Sequence, residues 1–124
     1  MTISPHTHPQ SFDAGTLRAA IESRDVATLG ELYADDATIE VVDAGNTPSR
    51  PRTLDGRAEI DAFLRDVYGR DMTHSVDLVA RAEDALGYSV RCSYPDGTRV
   101  LCNAVAHLRD GRIAREVIVQ AWDA

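Results

Sequence analysis

Apolar residues recur along this chain first at helical spacing and then at strand spacing. Between Asp13 and Tyr33, the residues Leu17, Ala20 and Ile21, then Val26, Leu29 and Leu32, fall three and four positions apart. That period predicts one amphipathic helix and a second starting at Asp25, whose carboxylate suits an N-cap. Asp35 and Asp36 end the helical pattern, and Thr38-Ile39-Glu40-Val41-Val42 is β-rich, the expected first strand. A Gly/Pro/Asn loop spans residues 43 to 56. Asp55-Gly56 then opens a third helix, in which Ile60, Phe63, Leu64 and Val67 make one apolar stripe and Gly69 acts as the stop.

Strand spacing takes over from His74. Segments His74 to Arg81, Tyr88 to Tyr94 and Arg99 to Leu108 read as a meander, followed by a last strand from Ile113 to Trp122. Pro95-Asp96-Gly97 and Asp110-Gly111 supply the last two turns. Two helices, a strand, a helix and a four-stranded antiparallel run describe an α+β architecture. Residues 1 to 12, rich in Pro, His, Ser and Thr without periodicity, read as a flexible N-terminal arm, leaving 13–124 as one domain.

Length and composition narrow the function. A chain of 124 residues buries roughly two-thirds of its unfolded surface and folds without staples. Cys92 and Cys102 lie inside apolar runs without C-x-x-C spacing and read as a reduced, structural pair. His6 and His8, on the loose arm, make a poor metal site, so neither a metal nor another cofactor is expected. A formal charge of -7 with scattered arginines argues against nucleic acid and anionic membrane, which need a clustered cationic face. The first ten residues have neither a basic start nor an apolar core, and no apolar run is long enough to span a bilayer, so a cytoplasmic protein is expected.

Leu32-Tyr33-Ala34-Asp35-Asp36-Ala37-Thr38, Leu54-Asp55-Gly56-Arg57 and the stretch from Leu108 to Asp123 together resemble the nuclear-transport-factor-2-like superfamily. That superfamily includes ketosteroid isomerases and SnoaL-like polyketide cyclases. The resemblance implies a cone, a curved and mostly antiparallel sheet lidded by three helices, with a deep apolar pocket and an outer face that often pairs two copies. It decides little about chemistry, because this fold hosts isomerases, cyclases, dehydratases, epoxide hydrolases and plain binders. A ketosteroid isomerase would carry a carboxylate base and two oxyanion donors at positions that here hold Val41, Leu17 and Ala104. All three groups are absent, which disfavours that mechanism.

The remaining candidates come from the alternation of side chains. His74 shares a face with Val76, Leu78 and Ala80, and Thr73-His74 resembles the strand start of scytalone dehydratase, although Ser89 stands where that enzyme's second histidine would be. Histidine exchanges a proton near neutral pH, so His74 is either an acid-base catalyst or a hydrogen-bonded residue at the pocket edge. Glu40 adjoins the vacant base position but points outward unless a bulge turns it in. Glu116, Ile118, Gln120 and Trp122 alternate onto one face, which the family geometry turns into the cone. Gln120 there either orients a ligand oxygen or satisfies a core network with His74. His107, facing away, reads as an interface residue.

The expected catalytic set is therefore His74, Gln120 and Glu40, with Leu17, Tyr33, Val41, Val76, Tyr88, Val90, Cys102, Ala104, Ile118 and Trp122 lining the pocket. The expected function is a cofactor-free lyase or isomerase acting by acid-base chemistry on a small hydrophobic oxygenated molecule, polyketide-like or steroid-like, in a homodimer. The alternative is a non-catalytic ligand-binding or dimerisation domain that has lost the isomerase acids.

Overall fold

The computed structural model describes residues 11–123. Helices α1 (Ala14–Ser23) and α2 (Val26–Glu31) precede strand β1 (Tyr33–Val42), strand β2 (Arg52–Asp55) and helix α3 (Gly56–Tyr68). Strands β3 (Thr73–Arg81), β4 (Ala85–Ser93), β5 (Arg99–Arg109) and β6 (Arg112–Trp122) complete the chain. All six strands form one curved, unclosed sheet in the order β2-β1-β6-β5-β4-β3, lidded by the three helices, the α+β cone expected from the sequence.

Local chemistry explains most of these boundaries. Asp13 caps α1 by accepting from the Gly15 and Thr16 amides, and Asp25 caps α2 by accepting from the Thr28 amide at 3.2 Å. Gly56 starts α3 at φ 84, a left-handed backbone that only glycine adopts freely. Asp110 and Gly111, at φ 53 and φ 76, form the primed two-residue turn whose twist matches the β5–β6 hairpin. Residues 1 to 10 of the proposed arm, with His6 and His8, lie outside the described residues. Phe12, assigned to that arm, is instead buried in the core.

Three departures from the sequence reading matter for the site. Strand β1 begins at Tyr33, not Thr38, and its register with β6 shifts between those residues, which leaves Asp35 and Asp36 exposed. The loop from 43 to 56 contains β2, which pairs with β1. Strand β1 in turn runs parallel to β6, placing Ile39 beside Glu116.

The third departure is a shift in β3. Its register with β4 slips between Val76 and Leu78, so alternation reverses there. His74 and Val76 stay inward, but Leu78 and Ala80, expected on the same face, turn to solvent. Strand β3 is a sheet edge, and α1 covers it at this point. Arg18 donates to the Val76 carbonyl at 2.7 Å, and the Val76 amide donates to Glu22 at 2.9 Å. Those two side chains satisfy backbone groups that an edge strand would otherwise present to another chain.

The core lies between helices and sheet, with Leu17, Ile21, Ile39, Ile60, Leu86 and Ile113 among its fully buried side chains. Ile39 sits on β1 between β2 and β6, where neither neighbour can collapse into a void. Ile39→Ala is expected to cost about 3 kcal/mol, the usual range for emptying a well-packed aliphatic site, as read from urea denaturation with an unchanged m-value.

Candidate functional site

Between the helices and the inner sheet face lies a cavity of ≈ 70 Å³ whose walls are mainly apolar. Helix α3 contributes Phe63, Leu64, Val67 and Tyr68; the sheet contributes His74, Tyr88, Val90, Cys92, Cys102, Ala104, Ile118 and Gln120, with Trp122 at its solvent-exposed end. This volume holds a few waters or part of a small molecule, and is less than a drug-sized ligand occupies.

One polar assembly sits at the base of the cavity. Glu116, only 1% exposed, receives the Tyr33 hydroxyl on one carboxylate oxygen at 2.5 Å and the Tyr88 hydroxyl on the other at 2.7 Å. Tyr33 comes from β1, Tyr88 from β4 and Glu116 from β6, so three strands meet in one carboxylate. The bridge from β4 to β6 must pass over β5, and the residues of β5 in register there are Ala104, level with Tyr88, and Ala106, level with Glu116. Two methyl groups leave room for the tyrosine ring. Burial pushes the Glu116 carboxyl above the ordinary carboxylate range, while the two tyrosine hydrogen bonds pull the other way. Burial and the adjoining carboxylate raise both phenols well above their ordinary value, which keeps them as donors.

A second assembly lies on the β3–β4 side. His74 pairs with Cys92 across those strands, its Nδ1 3.2 Å from the Cys92 sulfur, and its ring lies against Tyr68 with centroids 4.6 Å apart. The other ring nitrogen, Nε2, is buried and has no hydrogen-bond partner among the described residues. In the tautomer in which the Cys92 thiol donates to Nδ1, the neutral ring carries its proton on Nε2. In that tautomer His74 presents a donor at Nε2.

At the exposed end, Trp122 donates its indole N–H to the Gln120 carbonyl oxygen at 3.3 Å and stacks on Tyr94. That bond orients the Gln120 amide so that its NH₂ group is left to donate elsewhere. Among the described residues no cluster of three His, Cys, Asp or Glu side chains is arranged to hold a metal ion.

The family profile of the SnoaL-like domain matches residues 15–116. The chain belongs to the SnoaL-like domain family. Solved structures share the fold of this SnoaL-like domain at low identity. A proposed ketosteroid isomerase from Kribbella flavida is similar at 20% identity and a TM-score of 0.73, over 90% of this chain and 76% of that one. An NTF2-like protein of unknown function from Mesorhizobium loti is similar at 20% identity and a TM-score of 0.73, over 92% and 97%. A proposed isomerase from Bacillus subtilis aligns at 22% identity and a TM-score of 0.65, over 86% and 84%. No curated protein sequence matches this one.

Nine of the residues expected from the sequence border the cavity of this SnoaL-like domain: His74, Gln120, Tyr33, Tyr88, Val90, Cys102, Ala104, Ile118 and Trp122. Leu17, Val41 and Val76, expected as lining, are instead buried in the surrounding core. Glu40 does not join them, because from Thr38 onward β1 is in register with β6 and Glu40 alternates with the buried Ile39 and Val41. The shift in β1 falls before Thr38, too early to turn Glu40 inward. Gln120 bonds Trp122 rather than His74. The sequence reading passed over Glu116, Tyr68 and Cys92. Alternation had put Glu116 on the inward face, but nothing local marked its two tyrosine partners.

Glu116 holds its proton more tightly in the folded chain than in the unfolded one, so its contribution to stability is present at low pH and is lost as pH rises through the folded value. Glu116→Gln is expected to remove that slope from urea denaturation measured across the acid-to-neutral range. Glu116→Ala strands two buried hydroxyls and is expected to cost about 3 kcal/mol or more in the same measurement.

Proposed function

We propose that this SnoaL-like domain is a cofactor-free isomerase or lyase that moves a proton on a small hydrophobic, oxygenated molecule. The observation carrying this reading is the buried Nε2 of His74, without a hydrogen-bond partner among the described residues, on a mainly apolar cavity wall. With the ring proton on Nε2, that nitrogen is a donor matched to an oxygen on which negative charge develops during proton abstraction. Gln120, its amide oriented by Trp122, is the second donor.

The proton acceptor in this reading is the Glu116 carboxylate, reached through Tyr88. Tyr88 borders the cavity and donates to Glu116, so a proton accepted at the Tyr88 oxygen is passed on as the hydroxyl proton moves to the carboxylate. This places a buried carboxylate on β6 in the role for which the first strand offers only Val41. Glu40 has no part in it.

A copy of the same chain is the proposed partner. The outer sheet face exposes Leu78, Leu101, Val105 and Val119, and His107 lies on it as well. Such a run of apolar side chains on one face supports pairing of two copies. Val105→Arg is expected to convert the species seen by analytical ultracentrifugation to half its mass; an unchanged sedimentation profile would argue against this interface.

The catalytic reading is tested by α-proton exchange. Small cyclic enones and ketones are incubated with the protein in heavy water and followed by NMR. Wild type is expected to accelerate exchange over buffer, with losses of roughly a hundredfold in Glu116→Gln and His74→Ala. Exchange at the buffer rate, alongside stabilisation by the same compounds in a thermal-shift assay, would instead identify a pocket that binds without turnover.

A further inference from the structure

Cys92 is a nucleophilic group of the cavity that proton transfer does not use. It is 5% exposed, borders the cavity, and faces His74 directly in the β3–β4 register with its sulfur 3.2 Å from Nδ1. Cys102 on β5 lies one pair further along on the same face, since it is level with Val90 while Cys92 is level with Val100. A buried thiol is commonly no more than a small apolar side chain. Two features set this one apart: an imidazole placed as its base, and a cavity bordered by both groups, with that imidazole's other nitrogen buried and lacking a hydrogen-bond partner among the described residues.

We propose that Cys92 is a nucleophile, with His74 as its base, that adds covalently to small α,β-unsaturated carbonyl compounds. The Cys92 proton passes to His74 Nδ1 as the sulfur bonds to the β-carbon of the alkene. The displaced π pair becomes an enolate, whose oxygen is met by a donor such as the Gln120 amide. His74 Nδ1 then returns its proton to the α-carbon. The product is a thioether carrying the whole mass of the electrophile, with no leaving group and no change of oxidation state in the pair taken together. Soft thiols favour this addition, and an apolar cavity with a few donors suits a conjugated carbonyl.

Charge placement supports the assignment. Contact with the Cys102 thiol, together with the His74 imidazole, holds the Cys92 thiol below the usual thiol range, whereas Cys102 is pushed above it. The inference goes beyond proton transfer and stands whether or not the cavity turns over any substrate.

The two thiols provide an internal control, because Cys102 is the more exposed of the pair. Reactivity set by exposure alone would label Cys102 first. The test is treatment of the folded protein with substoichiometric methyl vinyl ketone, followed by intact mass and peptide mapping. The expected result is a single adduct on Cys92, formed at least roughly tenfold faster than on Cys102 and faster than on either thiol in urea. Cys102→Ser is expected to keep the adduct, and His74→Asn to slow it roughly tenfold or more. Preferential labelling of Cys102, or labelling of Cys92 only after unfolding, would overturn the proposal without recourse to any variant. An unchanged Cys92 rate in a folded His74→Asn protein would overturn the role of His74 as base.

Discussion

A carboxylate removed from water is the constraint around which the inner face of this sheet is arranged. Glu116 has a fully buried side chain, and an ion so placed is tolerated only where hydrogen bonds replace its hydration. Both of its oxygens are taken by tyrosine hydroxyls from strands lying on either side of it in the sheet. The tyrosines in turn need an acceptor, since a buried phenol without one carries its own penalty. Each group is thus stable because of the others, and the alanines of β5 follow from the arrangement: a larger side chain at 104 or 106 would stand in the path of the Tyr88 ring. The same assembly ties β1, β4 and β6 together at the base of the cavity, so the polar chemistry and the sheet's curvature share one set of contacts.

The edge of the sheet solves a different problem with similar means. Strand β3 carries His74 yet has no neighbouring strand on its outer side among the described residues, and an open edge is both a docking hazard and a poor platform for a positioned imidazole. Arg18 and Glu22 of α1 take the Val76 carbonyl and amide, two residues from His74. On the other side of the ring, Tyr68 of α3 packs against the imidazole. Two helices thus hold the strand and the ring it carries, leaving the histidine little freedom to turn away from Cys92.

Period and turn chemistry made much of this fold legible in the sequence. Helix positions, the Asp25 cap, the Asp110-Gly111 turn and the inward set Ile118, Gln120 and Trp122 all follow from local rules. Failures occurred where one residue changed the parity of a strand. Alternation carries His74 onto the face of Leu78 and Ala80, but the slip after Val76 separates them, and no glycine or proline marks it. Strand β2 is four residues long, too short for period to declare it. The site was partly legible for a related reason. Glu116 could be placed inward, but its meaning depends on Tyr33, 83 positions away, and Tyr88, 28 positions away. Pairing at that separation is a property of the sheet order, which places the last strand beside the first.

The two polar assemblies stand apart along one strand. Tyr88 and Cys92 lie on the same face of β4 with Val90 between them, a separation of about 13 Å at the backbone for four residues of strand. His74 is level with Cys92, so the donor end of the cavity and the carboxylate end are displaced by that same interval. Long side chains narrow the gap, yet a ligand touching both must still reach further than a single carbonyl. A conjugated system meets that demand, because a proton lost at one end of it is felt as charge on an oxygen at the other. In the proposed reaction the carboxylate behind Tyr88 acts on carbon while His74 and Gln120 act on oxygen, and neither end needs to approach the other. The Cys92 thiol lies at the donor end, where the alkene of such a ligand would come within its reach.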